Sequence, residues 1–89
     1  MDQTELMANA DAVYRFLLGL TADENLSEEL TQQTLYEAVR AAHRYDGTCK
    51  LSTWLCQIAK RRYYDHLRRK KHEADLLAEV FDSLAQQQR

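Results

Sequence analysis

The chain has 89 residues and a formal net charge of -2, with 45% hydrophobic and 29% charged residues, no proline, two glycines and two cysteines. That length allows one domain, burying only about 60–65% of its extended-chain surface, and the absence of any run of about 18 apolar residues excludes a membrane-spanning helix. Acids stand at the N-terminus where a signal peptide carries bases, and no apolar segment with a cleavage site follows, so the expected location is the cytoplasm.

Few helix breakers and few β-branched residues favour an all-α fold, a compact three- or four-helix bundle. A first amphipathic helix is predicted over about Gln3 to Leu20, where Leu6, Ala10, Val13, Phe16, Leu17 and Leu20 recur at steps of three and four. Gly19 and the polar stretch TADEN should end it, with Thr21 or Asn25 capping the next helix because each has a Glu three residues on. The second helix should run from about Leu26 to Arg44. Leu30, Thr34, Ala38, Ala41, Ala42 and Tyr45 line one side of it, and Leu35 and Val39 widen that side. Glu29, Gln32, Gln33, Tyr36, Arg40 and His43 line the other, either as a solvated face or as a protein-binding one, which exposed Tyr36 among acids and amides favours.

In YDGTCKLSTW, Asp46-Gly47 signals a turn, and Thr48 or Ser52 can cap the third helix, which starts near Leu51. Its core side carries Leu51, Leu55, Ile58 and Ala59, continued by Arg62 and Asp65, which can satisfy each other at i, i+3. Residues 1–72 read as the helical domain, and residues 73–89 as an extension or the start of a linker. Leu76, Leu77, Val80, Phe81 and Leu84 make that extension helical, either prolonging the third helix or folding back as a fourth.

Charge is distributed unevenly. Residues 1–39 balance at -7, residues 40–72 at +8 and the tail at -3, so the near-neutral total describes a dipolar molecule suited to one basic partner and one polyanion. The cations concentrate in KRRYYDHLRRKK, residues 60–71, where seven of twelve residues are Lys or Arg. Wound as a helix, Gln57, Arg61, Tyr64, Arg68 and Lys71 form a stripe opposite the core, with Lys60 beside it. Cations can follow phosphates there while a ring stacks on an unpaired base; a solvated basic face is the plainer alternative.

Cys49 and Cys56 match no zinc spacing, and His43, His66 and His72 lie far apart or in polar contexts, so no metal and no cofactor is expected. Asp65 with His66, or His72 with Glu73, cannot act as an acid–base pair, since neighbours on a helix point about 100° apart, and no nucleophile or phosphate loop accompanies them. The chain does not read as an enzyme.

Three stretches together resemble one family, the bacterial sigma factors of the extracytoplasmic-function type. SEELTQQTLYEAV, from Ser27 to Val39, resembles their "AEDLxQETF" segment, RYDG resembles the turn after it, and LSTWLCQIAKRRYYDHLRRKK, from Leu51 to Lys71, resembles the "WLxxIAxNxxxDxxRR" segment of region 2. Order and spacing match over about 60 residues, from Val13 to Lys71. The resemblance implies that the second helix docks on the β′ clamp of RNA polymerase core through Glu28, Glu29, Gln32 and Gln33, and Tyr36, on the same polar face, is read with them. It also implies that the third helix and the loop before it hold the non-template strand of the minus-ten promoter element during melting. That assigns Trp54, Arg61, Tyr64 and Arg68 to DNA, with Gln57, Lys60 and Lys71 beside them and Thr48, Cys49 and Lys50 as walls of a pocket for a flipped base.

Family members are often held inactive by an anti-sigma factor covering this domain, and the resemblance admits such a partner. Two departures stand out. Arg61 replaces the family's usual Asn, and no basic helix-turn-helix pattern for a minus-thirty-five element follows region 2, so the sequence is either a fragment or works beside a separate polypeptide. A helical decoy that occupies the clamp or an anti-sigma partner without touching DNA is the competing reading.

Overall fold

The amphipathic N-terminal segment folds as two helices, not one. In a computed structural model, which describes residues 2–87 and so leaves Met1 and the last two residues of the expected extension outside the described residues, α1 spans Gln3–Ala8 and α2 spans Ala10–Thr21. The break is at Asn9, whose backbone N–H turns back to the Leu6 carbonyl and whose Nδ2 donates to the Glu5 carbonyl at 2.9 Å. Short amide side chains compete with the helix for backbone groups in this way, and hydrophobic periodicity passes straight over the break. Gly19 does not end α2. The helix runs on to Thr21, and Ala22 closes it in the left-handed region at φ 53°, its N–H bonded to the Leu18 carbonyl.

Helix α3 spans Glu24–Arg40 and is capped by Asp23, not by Thr21 or Asn25: the Asp23 carboxylate accepts from the Leu26 N–H at 3.0 Å. Thr21 instead accepts from the Asp23 N–H and pairs at 2.7 Å with the hydroxyl of Ser27, which is fully buried. α3 stops four residues earlier than its pattern predicts, and Ala42–Arg44 form a 3-10 turn. Helix α4 then runs unbroken from Leu51 to Gln87, which decides for prolongation of the third helix.

Leu6, Val13, Leu17, Leu30, Ala38, Leu55, Ile58 and Ala59 form the core, with Phe16, Leu26, Leu51, Trp54 and Tyr63 packed against it. Full burial of each large aliphatic side chain contributes about 1.5–3 kcal/mol. Leu20 and Val39, read from the pattern as core, are 42% and 47% exposed, because they sit at the margins of the apolar stripes. The buried hydroxyls of Thr31 and Thr34 donate to the carbonyls of Ser27 and Leu30 at 2.6 and 2.7 Å, so their burial leaves no orphaned donor.

α3 packs on α2 and on α4. It runs antiparallel to α4: Arg62 meets Glu37, while further along α4 His66 and Lys70 share a hollow with Glu29. The bundle uses only the first part of α4. Beyond Leu67 every described residue is exposed, so the tail projects and gives the molecule extents of 62 × 25 × 18 Å, its apolar stripe from Leu76 to Leu84 uncovered.

Candidate nucleic-acid and polymerase interface

The basic stripe exists as a surface. Gln57, Lys60, Arg61, Tyr64, Arg68 and Lys71 are all exposed on α4, and Gln57 to Lys71 covers about 21 Å of helix at 1.5 Å per residue. Tyr64 is 49% exposed; its ring stacks on Tyr63 at 6.1 Å between centroids, and the Lys60 ammonium lies 5.8 Å from its centre. Tyr63 anchors this pair by packing on the core, while Tyr64 stays half open to solvent.

Arg68 is paired with Asp65. An exposed pair of this kind contributes little to stability, so Arg68 can exchange it for a phosphate at small cost. The pairing corrects the sequence reading, in which Asp65 satisfied Arg62. Arg62 turns instead to Glu37 on α3, its Nε donating at 2.6 Å, because Arg62 sits on the side of α4 that faces α3.

The loop before α4 is built by its own polar groups. Asp46 accepts from the Thr48 N–H at 3.0 Å and from its hydroxyl at 2.8 Å, and these bonds hold the Asp46 carboxyl below the usual aspartate range. Thr48 is thereby spent on the turn and does not cap α4. Gly47 takes φ 80°, the backbone region that glycine supplies without strain. Tyr45 donates its hydroxyl to the Cys49 carbonyl and tilts against Trp54 with 5.2 Å between ring centroids. Trp54 is therefore half-buried and braces the loop, with Thr48 and Lys50 exposed and Cys49 half-buried around it.

On α3, Glu28, Glu29, Gln32 and Tyr36 are exposed and Gln33 is half-buried, donating weakly to Glu29 at 3.4 Å. Tyr36 is 65% exposed and carries the Arg40 guanidinium 5.7 Å from its ring centre. Burial, then the charges of Glu24 and Glu28, push the Tyr14 phenol up beside this face. The acidic and basic surfaces meet: Glu29 shares its hollow with His66, Arg69, Lys70 and Glu73.

Residues 6–73 of this arrangement match the sigma-70 region 2 family. The chain belongs to that family. The chain is 39% identical over 74 residues, 83% of its length, to the ECF RNA polymerase sigma factor SigM of Bacillus subtilis (strain 168), and 27% identical over 70 residues, 79% of its length, to the ECF RNA polymerase sigma factor SigX of the same organism. It spans 45% and 36% of the lengths of those two relatives. No solved structure matches it significantly. The resemblance to region 2 of an extracytoplasmic-function sigma factor thus holds.

Sequence reasoning left out Arg44, Arg62 and Arg69 as site residues. The signal was present, since the cationic segment begins at Arg40, but only packing of α3 on α4 sets Arg44 and Arg62 around a common cleft, while Arg62 and Arg69 share a hollow along α4 itself.

Proposed function

We propose that this region 2 domain, residues 1–72 with the remainder as a helical extension, is a promoter-recognition module that acts in the cytoplasm as a binding factor without catalysis of its own. It docks on the β′ clamp of RNA polymerase through Glu28, Glu29, Gln32, Gln33 and Tyr36, and holds the non-template strand of a melted minus-ten element on α4. The observation that supports this most is the gathering of Arg61, Tyr64 and Arg68 on one exposed side of an unbroken helix, with Tyr64 backed by Tyr63 and half open to solvent.

Cations on that ridge place the backbone of the strand, and the ring offers a stacking platform worth about 1–3 kcal/mol per base. The loop walled by Thr48, Cys49 and Lys50 and braced by Trp54 receives an extruded base; its contacts offset the few kcal/mol of unstacking, so melting proceeds without ATP. An anti-sigma factor covering either surface would switch the module off.

The test is fluorescence anisotropy of a minus-ten non-template oligonucleotide with the full chain and core polymerase. Arg61→Gln and Tyr64→Leu should weaken oligonucleotide binding while leaving the affinity for core polymerase intact, and Glu29→Lys or Gln32→Ala should do the reverse. The Tyr64 change should lower affinity by about fivefold to 150-fold, the equivalent of one stacked base. Oligonucleotide binding indifferent to both α4 changes would refute the proposal, and inhibition of run-off transcription with no strand binding would make the domain a decoy.

A further inference from the structure

We infer that a second cationic track, on the α3-facing flank of α4, holds nucleic-acid phosphates alongside the Arg61–Tyr64–Arg68 ridge; the inference rests on the promoter-binding reading and extends it. Where α3 ends against α4, a cleft of about 290 Å³ is lined by Arg40, His43, Arg44 and Arg62, with Glu37 its only acid. Arg62 also lines the neighbouring hollow, whose other cations are Arg68 and Arg69 and whose only acid is Asp65. Arg62 therefore joins two hollows into one trough.

Both acids are already engaged. Glu37 holds Arg62 by its Nε, and Asp65 holds Arg68. A guanidinium bound at Nε keeps its terminal amino groups for a second acceptor. Arg44 and Arg69 have no ion-pair partner among the described residues; Glu29 and Glu73 border Arg69 in the next hollow without pairing with it, and within the trough cations outnumber the two acids. Arg40 lies in the last turn of α3, where a cation is favoured by the helix dipole. That local cause accounts for Arg40 alone and not for Arg62 or Arg69 on the neighbouring helix.

The ligand class follows from continuity. Arg61 and Arg62 are successive residues, so ridge and trough occupy adjacent sides of α4 about 100° apart, and Arg68 belongs to both. Arg62 and Arg69 stand two turns apart, about 10 Å along the helix, so one ligand that answers both must carry a repeat of negative charges. A sugar–phosphate backbone supplies such a repeat, and arginine forks match its phosphates in bidentate fashion.

The experiment compares the wild-type chain with Arg44→Gln/Arg69→Gln and with Arg61→Gln, each with core polymerase and a labelled single-stranded 20-mer, across a salt titration. Each phosphate contact adds about 0.7 to the slope of log affinity on log salt. Removing two should lower the slope by about 1.4, so that a fourfold rise in salt costs the wild type about sevenfold more affinity than the trough variant. Circular dichroism and core-polymerase affinity should be unchanged in that variant. A wild-type slope in the trough variant beside a reduced slope in Arg61→Gln would overturn this inference and leave the promoter-binding proposal standing. Wild-type slopes in both would overturn both. Competition by poly-glutamate that the trough variant loses, with the DNA slope unmoved, would assign the trough to an acidic protein and also overturn the inference.

Discussion

The Glu37–Arg62 bond ties the helix proposed to meet polymerase to the helix proposed to meet DNA, so its strength is a direct measure of how firmly the two surfaces are held in register. Its oxygen and nitrogen are 2.6 Å apart, with the Arg62 and Glu37 side chains 37% and 29% exposed. A charge-assisted hydrogen bond contributes about 1.5–3 kcal/mol when sheltered, and exposed pairs measure about 0.2–1 kcal/mol. At this partial exposure solvent screens much of the attraction, which leaves a coupling of about 1 kcal/mol. Urea melts of the wild type, Glu37→Gln, Arg62→Gln and the double variant would extract that coupling as a thermodynamic cycle. For a domain of this size 1 kcal/mol corresponds to about 5 °C in Tm. A coupling below about 0.3 kcal/mol would mean that packing alone sets the α3–α4 register. The same Glu37→Gln change also frees Arg62 in the trough, so at low salt it should raise oligonucleotide affinity even as it lowers stability.

Other perturbations test the remaining steps. Asp46 titrates low because the Thr48 N–H and hydroxyl bond its charged form; its contribution to loop order is present above the ordinary aspartate range and is lost as pH falls through its lowered value, which a shift in Trp54 fluorescence without global unfolding would report, and which Asp46→Asn should imitate at neutral pH. Ala22→Gly should stabilise the chain, because the left-handed conformation at Ala22 costs a residue with a Cβ about 1–2 kcal/mol; offset in part by the greater freedom of unfolded glycine, the net gain should be about 0.5–1 kcal/mol in urea, and a loss would show that the αL cap is not strained. Leu55 is fully buried in the core, so Leu55→Ala should cost about 2–5 kcal/mol and lower Tm by 10 °C or more on this scale; a smaller drop would mean that the bundle collapses around the space left behind.

Much of the bundle follows from local chemistry that any reader of the residues can see. Spacings of three and four place Val13, Leu17, Leu30, Leu55 and Ile58 inside, because a helix turns every 3.6 residues whatever surrounds it. For the same reason Arg61, Tyr64 and Arg68 fall on one side of α4 as soon as the segment is helical. The competition between caps is less legible. Asp23, Thr21 and Asn25 are all competent, and the choice fell to Asp23 because Thr21 was drawn away by the buried Ser27 hydroxyl, a contact between elements.

Pairings across elements were decided by tertiary structure alone. Asp65 is near Arg62, Arg68 and Arg69 in sequence, but Arg62 is turned toward α3 and takes Glu37, 25 positions away, leaving Asp65 to Arg68. The sequence by itself determined which residues are cationic, which are apolar and which side of each helix they share, since those properties depend on residue type and helical period. Which cations α3 and α4 bring around a common cleft and how far Trp54 is withdrawn into the loop's support were settled only by packing, because the relevant energies arise between segments that the chain brings together after the helices form, whereas the exposed tail runs on as a continuation of α4 that packs on nothing among the described residues.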